Sequence, residues 1–251
     1  LSVSYYRGYD VMPVTDVYSD LTIELVDMLA LDYNLALDLT YKPVIHKMNV
    51  YGFDFMTTLG SFTVRGECAY FDEKSYNRRL ESVLGQELSR TRQEEIFDEF
   101  YQNFLDSGGT LTTQTFRINP RINIPMKALK YGLGVDYIHG DSSVSMQVIQ
   151  EFVPDYDNSM PVYFINDDGF NTVVTAMFKQ FFLQNTLELT VRGAYGIEFK
   201  DYVFRPSLKY SFTNALQGTI GLVVLGGKYD SSLFGQYDQN DEVYAQLRCS
   251  F

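Results

Sequence analysis

Alternation of apolar and polar residues with a period of two runs through most of this chain, and it limits the possible folds more than any other feature. Successive side chains of a β-strand point to opposite faces, so such a run has one face that avoids water and one that seeks it. The clearest run sets Leu187, Leu189, Val191, Gly193, Tyr195, Ile197 and Phe199 against Glu188, Thr190, Arg192, Ala194, Gly196 and Glu198. The next sets Tyr202, Phe204, Leu208, Tyr210 and Phe212 against Arg205, Ser207, Lys209 and Ser211. With runs at 1–9, 48–58, 62–71, 129–138, 144–153, 170–183, 216–226 and 242–251, ten strands are expected. Weaker alternation over 21–29 and 35–41, around a turn at 30–34, brings the number to twelve if that hairpin joins the sheet. Most runs reach the roughly 9–11 residues that a tilted strand needs to cross a bilayer, whereas soluble strands are commonly about five or six.

The links between runs alternate in length. Short ones fall at 59–61, 139–142, 184–185 and 213–215; long ones at 10–20, 72–128, 154–169 and 228–241, with one short exception at 200–201. With the C-terminus in the periplasm, the four short links are periplasmic turns and the long ones extracellular loops, the layout of outer-membrane barrels. The expected fold is all-β: one domain over 1–251, a transmembrane antiparallel up-and-down β-barrel with a helical insert in an extracellular loop. That insert is residues 76–105. Leu80, Val83, Leu84 and Leu88, then Ile96, Phe97, Phe100, Tyr101, Phe104 and Leu105, recur at helical spacing until Gly108 and Gly109. An amphipathic helix needs an apolar partner: the barrel mouth, a neighbouring chain or its own second half. A cap packed on the rim is the simplest outcome.

Composition fits this reading. The chain of 251 residues has 20 Tyr and 19 Phe without Trp, and aromatics belong where a barrel surface meets lipid headgroups. A net charge of −12 leaves no basic face for nucleic acid. No apolar run reaches the roughly 18 residues of a helical membrane span. The chain opens directly in a strand pattern with no leader, as expected of a mature or trimmed polypeptide.

Charges on a lipid face cost about 2–4 kcal/mol at mid-depth, so those on the polar phase should face a lumen. The lumen-lining candidates are Asp54, Arg65, Glu67, Lys130, Asp136, Glu151, Glu188, Arg192, Glu198, Arg205, Lys209 and Arg248, with Glu242 in the same phase. Acids and bases nearly balance. That fits a water-filled path of mixed polarity and equally a ladder of paired charges filling a narrow barrel. The run 170–183 is apolar on both faces, with Val173, Met177 and Phe181 opposite Val174, Phe178 and Phe182. It is either a greasy patch in the lumen or a seat for an inserted loop.

Catalytic chemistry finds little footing. There are two histidines, His46 and His139. The sequence His139-Gly140-Asp141-Ser142 forms a polar turn, not three groups aimed at one point from separate supports. Acidic pairs Asp155/Asp157, Asp167/Asp168 and Asp238/Asp241 read as solvated loops, so no metal is expected, nor any cofactor. Cys68 and Cys249 fall in the apolar phase and read as small lipid-facing residues.

The last run places Val243, Ala245, Leu247, Cys249 and the terminal Phe251 on one face. It resembles the C-terminal recognition signal of outer-membrane barrels, which implies handling by barrel-assembly machinery. The stretches LSVSYYRGYD at 1–10, YGFDFMTTLG at 51–60, VRGECAY at 64–70, GLGVDY at 132–137 and MQVIQE at 146–151 together resemble a family of uncharacterised proteobacterial outer-membrane proteins. Its members are often encoded beside RND-type exporters and a lipoprotein-carrier-like periplasmic protein. The resemblance implies an outer-membrane location and transport of lipid-like or other apolar compounds. It also implies partnership with periplasmic transport proteins or an inner-membrane exporter. These motifs lie late in the family's longer barrel, which implies that N-terminal strands are missing here. No catalytic residue carries over.

Overall fold

The computed structural model describes residues 1–27, 32–87, 89–118, 122–154, 156–228 and 232–250. It is all-β with antiparallel sheets. Strands β1 (Ser2–Tyr9), β4 (Lys47–Leu59), β5 (Phe62–Asn77), β7 (Asn123–His139), β8 (Ser142–Phe152), β9 (Phe170–Phe182), β10 (Leu187–Gly196), β11 (Asp201–Ser211), β12 (Leu216–Gly227) and β13 (Glu242–Cys249) form a ten-stranded sheet in that order. These are the ten strands expected from alternation. The four short turns lie together at one end, called here the turn end. The long connections gather at the other, the loop end, because consecutive strands of an antiparallel meander reverse direction.

The early hairpin does not join this sheet. β2 (Val14–Asp27) and β3 (Asp32–Val44) pair with each other, and β6 (Thr113–Ile118) pairs with β2, giving a separate three-stranded sheet ordered β3-β2-β6. β6 lies inside what the sequence presents as a long irregular loop. Its alternating apolar residues, Phe116 and Ile118, are too few to declare a strand without their partner. The expected helix over 76–105 is also corrected. Tyr76 still belongs to β5, and the helical part is two elements, α1 (Leu80–Glu87) and α2 (Arg90–Asp106). Gly108 and Gly109, at φ +69° and +79°, end α2 in the left-handed region that glycine enters without steric cost.

The partner of the helices is the small sheet. Ile96 and Phe100 of α2 pack with Ile23 and Ile118, against Leu21, Leu25, Tyr33, Phe97 and Phe116. Val83 of α1 packs with Val17 and Ile122, flanked by Leu39 and Leu80. A third cluster, Tyr76, Ala128, Val153, Val162 and Ile165, ties the 153–169 segment to the loop ends of β5 and β7. Thr15 N–H donates to Asn77 Oδ1 at 2.9 Å, joining β2 to the end of β5. All three buried apolar clusters therefore lie at the loop end.

Among the described residues, the ten-stranded sheet has no buried apolar face beyond its loop-end rim, where Tyr76 and Ala128 join the third cluster. Among the described residues, β1 pairs only with β4 and β13 only with β12, so the expected closure into a barrel is not made by the observed hydrogen bonds. Ten is an even number, so β1 and β13 run antiparallel to each other.

Candidate functional site

Register determines which side chains share a face. Tracing it across the sheet places Phe53 beside Cys68 and Tyr131, Val135 beside Met146 and Ala176, and Leu189 beside Leu208, Ile220 and Ala245. This face is mostly apolar, interrupted by Ser142, Gln150, Thr172 and Gln180 on β8 and β9. Among the described residues in register, its charged side chains are Arg7 and Lys47, both at the loop end. It is also the exposed face: Leu133 is 60 % exposed, Ile220 56 % and Leu247 70 %. Aromatics are spread over this face: Tyr51 and Tyr70 toward the loops, Phe62, Tyr137, Tyr210 and Phe212 toward the turns, and Phe53, Phe55, Phe178 and Phe204 among the aliphatic Val64, Leu133, Met146, Val148 and Ile220.

The opposite face carries the charges, and on β8 and β9 it is the more sheltered one. On β8, Ser143, Ser145, Gln147 and Ile149 are half-buried while Val144, Met146 and Val148 are exposed. That is the reverse of a water-soluble sheet.

Eleven of the candidate lumen residues stand on this polar face. Arg65 on β5 meets Asp136 on β7 at 3.3 Å, and Asp136 also accepts from Ser145 Oγ at 2.5 Å. Asp54 on β4 accepts from Ser2 Oγ at 2.6 Å. Glu188 on β10 is held between Lys179 Nζ at 3.1 Å and Lys209 Nζ, and it accepts from Thr190 Oγ1 at 3.1 Å. Glu151 is buried, ion-paired with Lys74 and bound by Tyr76 Oη at 2.5 Å. Lys130 stands in register with Glu151. Glu67 faces the residue-free space above Gly132, where a Cβ would come within 3.4 Å of its Oε1. An open hollow of about 510 Å³ lies there, lined by Asp54, Arg65, Glu67, Gly132 and Gln147 among others. Arg192, Arg205 and Arg248 share the face farther along the sheet.

Glu198 is placed differently. It lies in the β10–β11 turn and accepts from Thr172 N–H at 2.7 Å and Thr172 Oγ1 at 2.6 Å, so it braces the loop end and does not line the wall. Two cations were hidden from the sequence reading. Lys179 sits in the strand that looked apolar on both faces, although its phase is that of Thr175 and Met177. Lys74 lies beyond a register shift between Phe71 and Lys74 that swaps the faces of β5, so simple alternation assigns it to the wrong side.

The remaining motifs separate from this face. Ser142 donates to Gln180, and the His139 ring stacks on Tyr137 at 6.2 Å, so the polar turn holds no nucleophile–base contact. Asp157 accepts from Ser159 N–H at 2.9 Å and Asp241 from Leu225 N–H at 3.0 Å; these carboxylates cap backbone. Asp155 and Phe251 lie outside the described residues. Val243, Ala245, Leu247 and Cys249 stand on the apolar face. The helices of the insert bury their apolar stripe inside the loop-end cap, so β9 is not their seat and the apolar side chains of its polar-phase face stay uncovered by them. No family model and no curated protein matches the chain.

Proposed function

We propose that this chain forms the wall of an outer-membrane transport barrel: a porin-like conduit for small or apolar solutes, working with periplasmic or exporter partners. The observation that carries the reading is the inverted sheet. A largely apolar face is exposed across ten strands while nearly all the charges in register stand on the other side. Exposed apolar patches of that extent on a soluble protein mark a surface that is covered by something else. Lipid covers aliphatic and aromatic side chains of such a face alike.

In hydrocarbon the free edges of β1 and β13 must find partners, since unpaired N–H and C=O groups there cost several kcal/mol each (roughly, by transfer). Closure of β1 on β13, or further strands between them, satisfies this and turns the polar face inward. The loop-end cap then sits over the outer mouth, and its apolar stripe is already consumed by the small sheet.

A filled structural barrel is the second reading, favoured by the charge pairs Arg65–Asp136 and Lys179–Glu188–Lys209, which could knit a narrow lumen shut. Proteoliposomes carrying the purified protein decide between them. Solute uptake or single-channel current is expected; a sealed bilayer under every solute and voltage tested overturns the conduit in favour of the filled barrel.

A further inference from the structure

We infer that Arg192 and Arg205 form a binding station for the anionic head of an amphiphilic solute, a phosphate or carboxylate carried on an apolar body. The two residues face each other in register on β10 and β11. Like charges directly opposite on one face destabilise a sheet. Elsewhere on this face opposite charges are brought together: Arg65 has Asp136, and Glu188 has two lysines. Arg192 and Arg205 are both exposed, and among the described residues neither makes a hydrogen bond or ion pair. Two adjacent guanidinium forks without an acid match an oxyanion, which each can engage through two parallel N–H groups.

The surroundings favour the same occupant. Strands β9–β13 carry Lys179, Arg192, Arg205, Lys209 and Arg248 on the polar face against Glu188, Asp201 and Glu242. Strands β4–β8 carry Asp54, Glu67, Asp136 and Glu151 against Arg65, Lys74 and Lys130. Asp201 is buried and accepts from Phe234 N–H at 2.8 Å, and Glu188 is neutralised by its lysines. The nearest acid in the arginine row is Glu242, reached through Val223 on the far side of β12, about 10 Å from Arg205 at the usual strand spacing. The balance of charge therefore favours an anion in this half of the wall over the other. Beside the arginines lie half-buried apolar side chains: Met177 in register with Arg192, and Ala194, Val203 and Leu225 in the next row toward the loops. They offer a body of hydrocarbon a place that charged neighbours would not.

The inference rests on the conduit reading for its biological sense but is tested without flux. Octyl phosphate, below its micellar concentration, is titrated into protein in a non-ionic detergent while the Arg Nε–Hε resonances are followed. Inorganic phosphate serves as the probe without a tail and octanol as the probe without a head. Octyl phosphate should shift the Arg192 and Arg205 signals and bind more tightly than either control. The Arg192→Gln/Arg205→Gln protein should lose at least about ten-fold in affinity, the scale of one charge-assisted hydrogen bond. Removing a like-charge pair should not unfold the sheet, and Arg192→Lys, which keeps the charge but loses the fork, should bind with intermediate strength. Equal binding of octyl phosphate to the wild type and the double variant overturns the station, as does octanol binding as tightly as octyl phosphate. A sealed barrel that still binds the phosphate sinks the conduit and spares the station; flux without binding does the opposite.

Discussion

Val148 and Gln147 are neighbours on β8 that point to opposite faces, and the membrane reading assigns them opposite tolerances. Val148 is 46 % exposed on the apolar face, so Val148→Arg should cost about 2–4 kcal/mol where that face meets hydrocarbon. Gln147→Arg places its cation on the polar face between Glu67 and Arg65, where one attracts and the other repels it, and should cost much less. Urea unfolding of the protein in lipid vesicles measures both, and equal costs would remove the lipid from that face. Outside the ten-stranded sheet, Arg117 holds Asp20 by a hydrogen bond at 2.9 Å, which pushes the Asp20 carboxyl below the usual aspartate range against an opposing desolvation. The folded state thus prefers the ionised acid. Any stability from this pair is present above the ordinary aspartate pKa and fades as pH falls through the lowered value. NMR titration should find the Asp20 midpoint depressed and returned to normal by Arg117→Ala; an unchanged midpoint would deny the contact. The pair is exposed, so its effect on stability is small.

At the scale of elements, the cap and the wall are held by different forces. The cap has an ordinary core, in which Ile23 is fully buried and Ile96 and Phe100 nearly so. Ile96→Ala removes buried methylenes and should destabilise the cap by about 2–5 kcal/mol. Hydrogen exchange should then show β2, β3, β6 and the helices opening while the ten-stranded sheet keeps its protection. Simultaneous loss of protection in both would mean that wall and cap unfold as one. The wall has no such core, and its ladder hydrogen bonds depend on the medium that covers its apolar face.

On the proposed membrane reading, the whole molecule needs two environments at once. Cys68 stands mid-sheet on the apolar face and is free. In vesicles it should react with a bilayer-soluble maleimide and resist a charged, membrane-impermeant thiol reagent. Rapid labelling by the charged reagent in an intact, lipid-embedded protein would place that face in water.

Much of this was legible without tertiary structure. Alternation is local, since a residue and its second neighbour share a face whatever the strand pairs with. The ten wall strands, their faces, the turn end and the loop end, and eleven of the twelve proposed wall charges could therefore be read from the chain alone. What pairs with what is not local. The 21–41 hairpin alternates as a wall strand does, and only the availability of β6 and the apolar stripe of α2 turns it into the floor of a cap. Lys74 changes sides because one irregularity after Phe71 shifts the phase of everything beyond it. Arg192 and Arg205 are ordinary polar-phase residues until register sets them face to face. Side-chain direction follows from the backbone of a single strand; partnership follows from alignment between strands, which the folded chain alone decides.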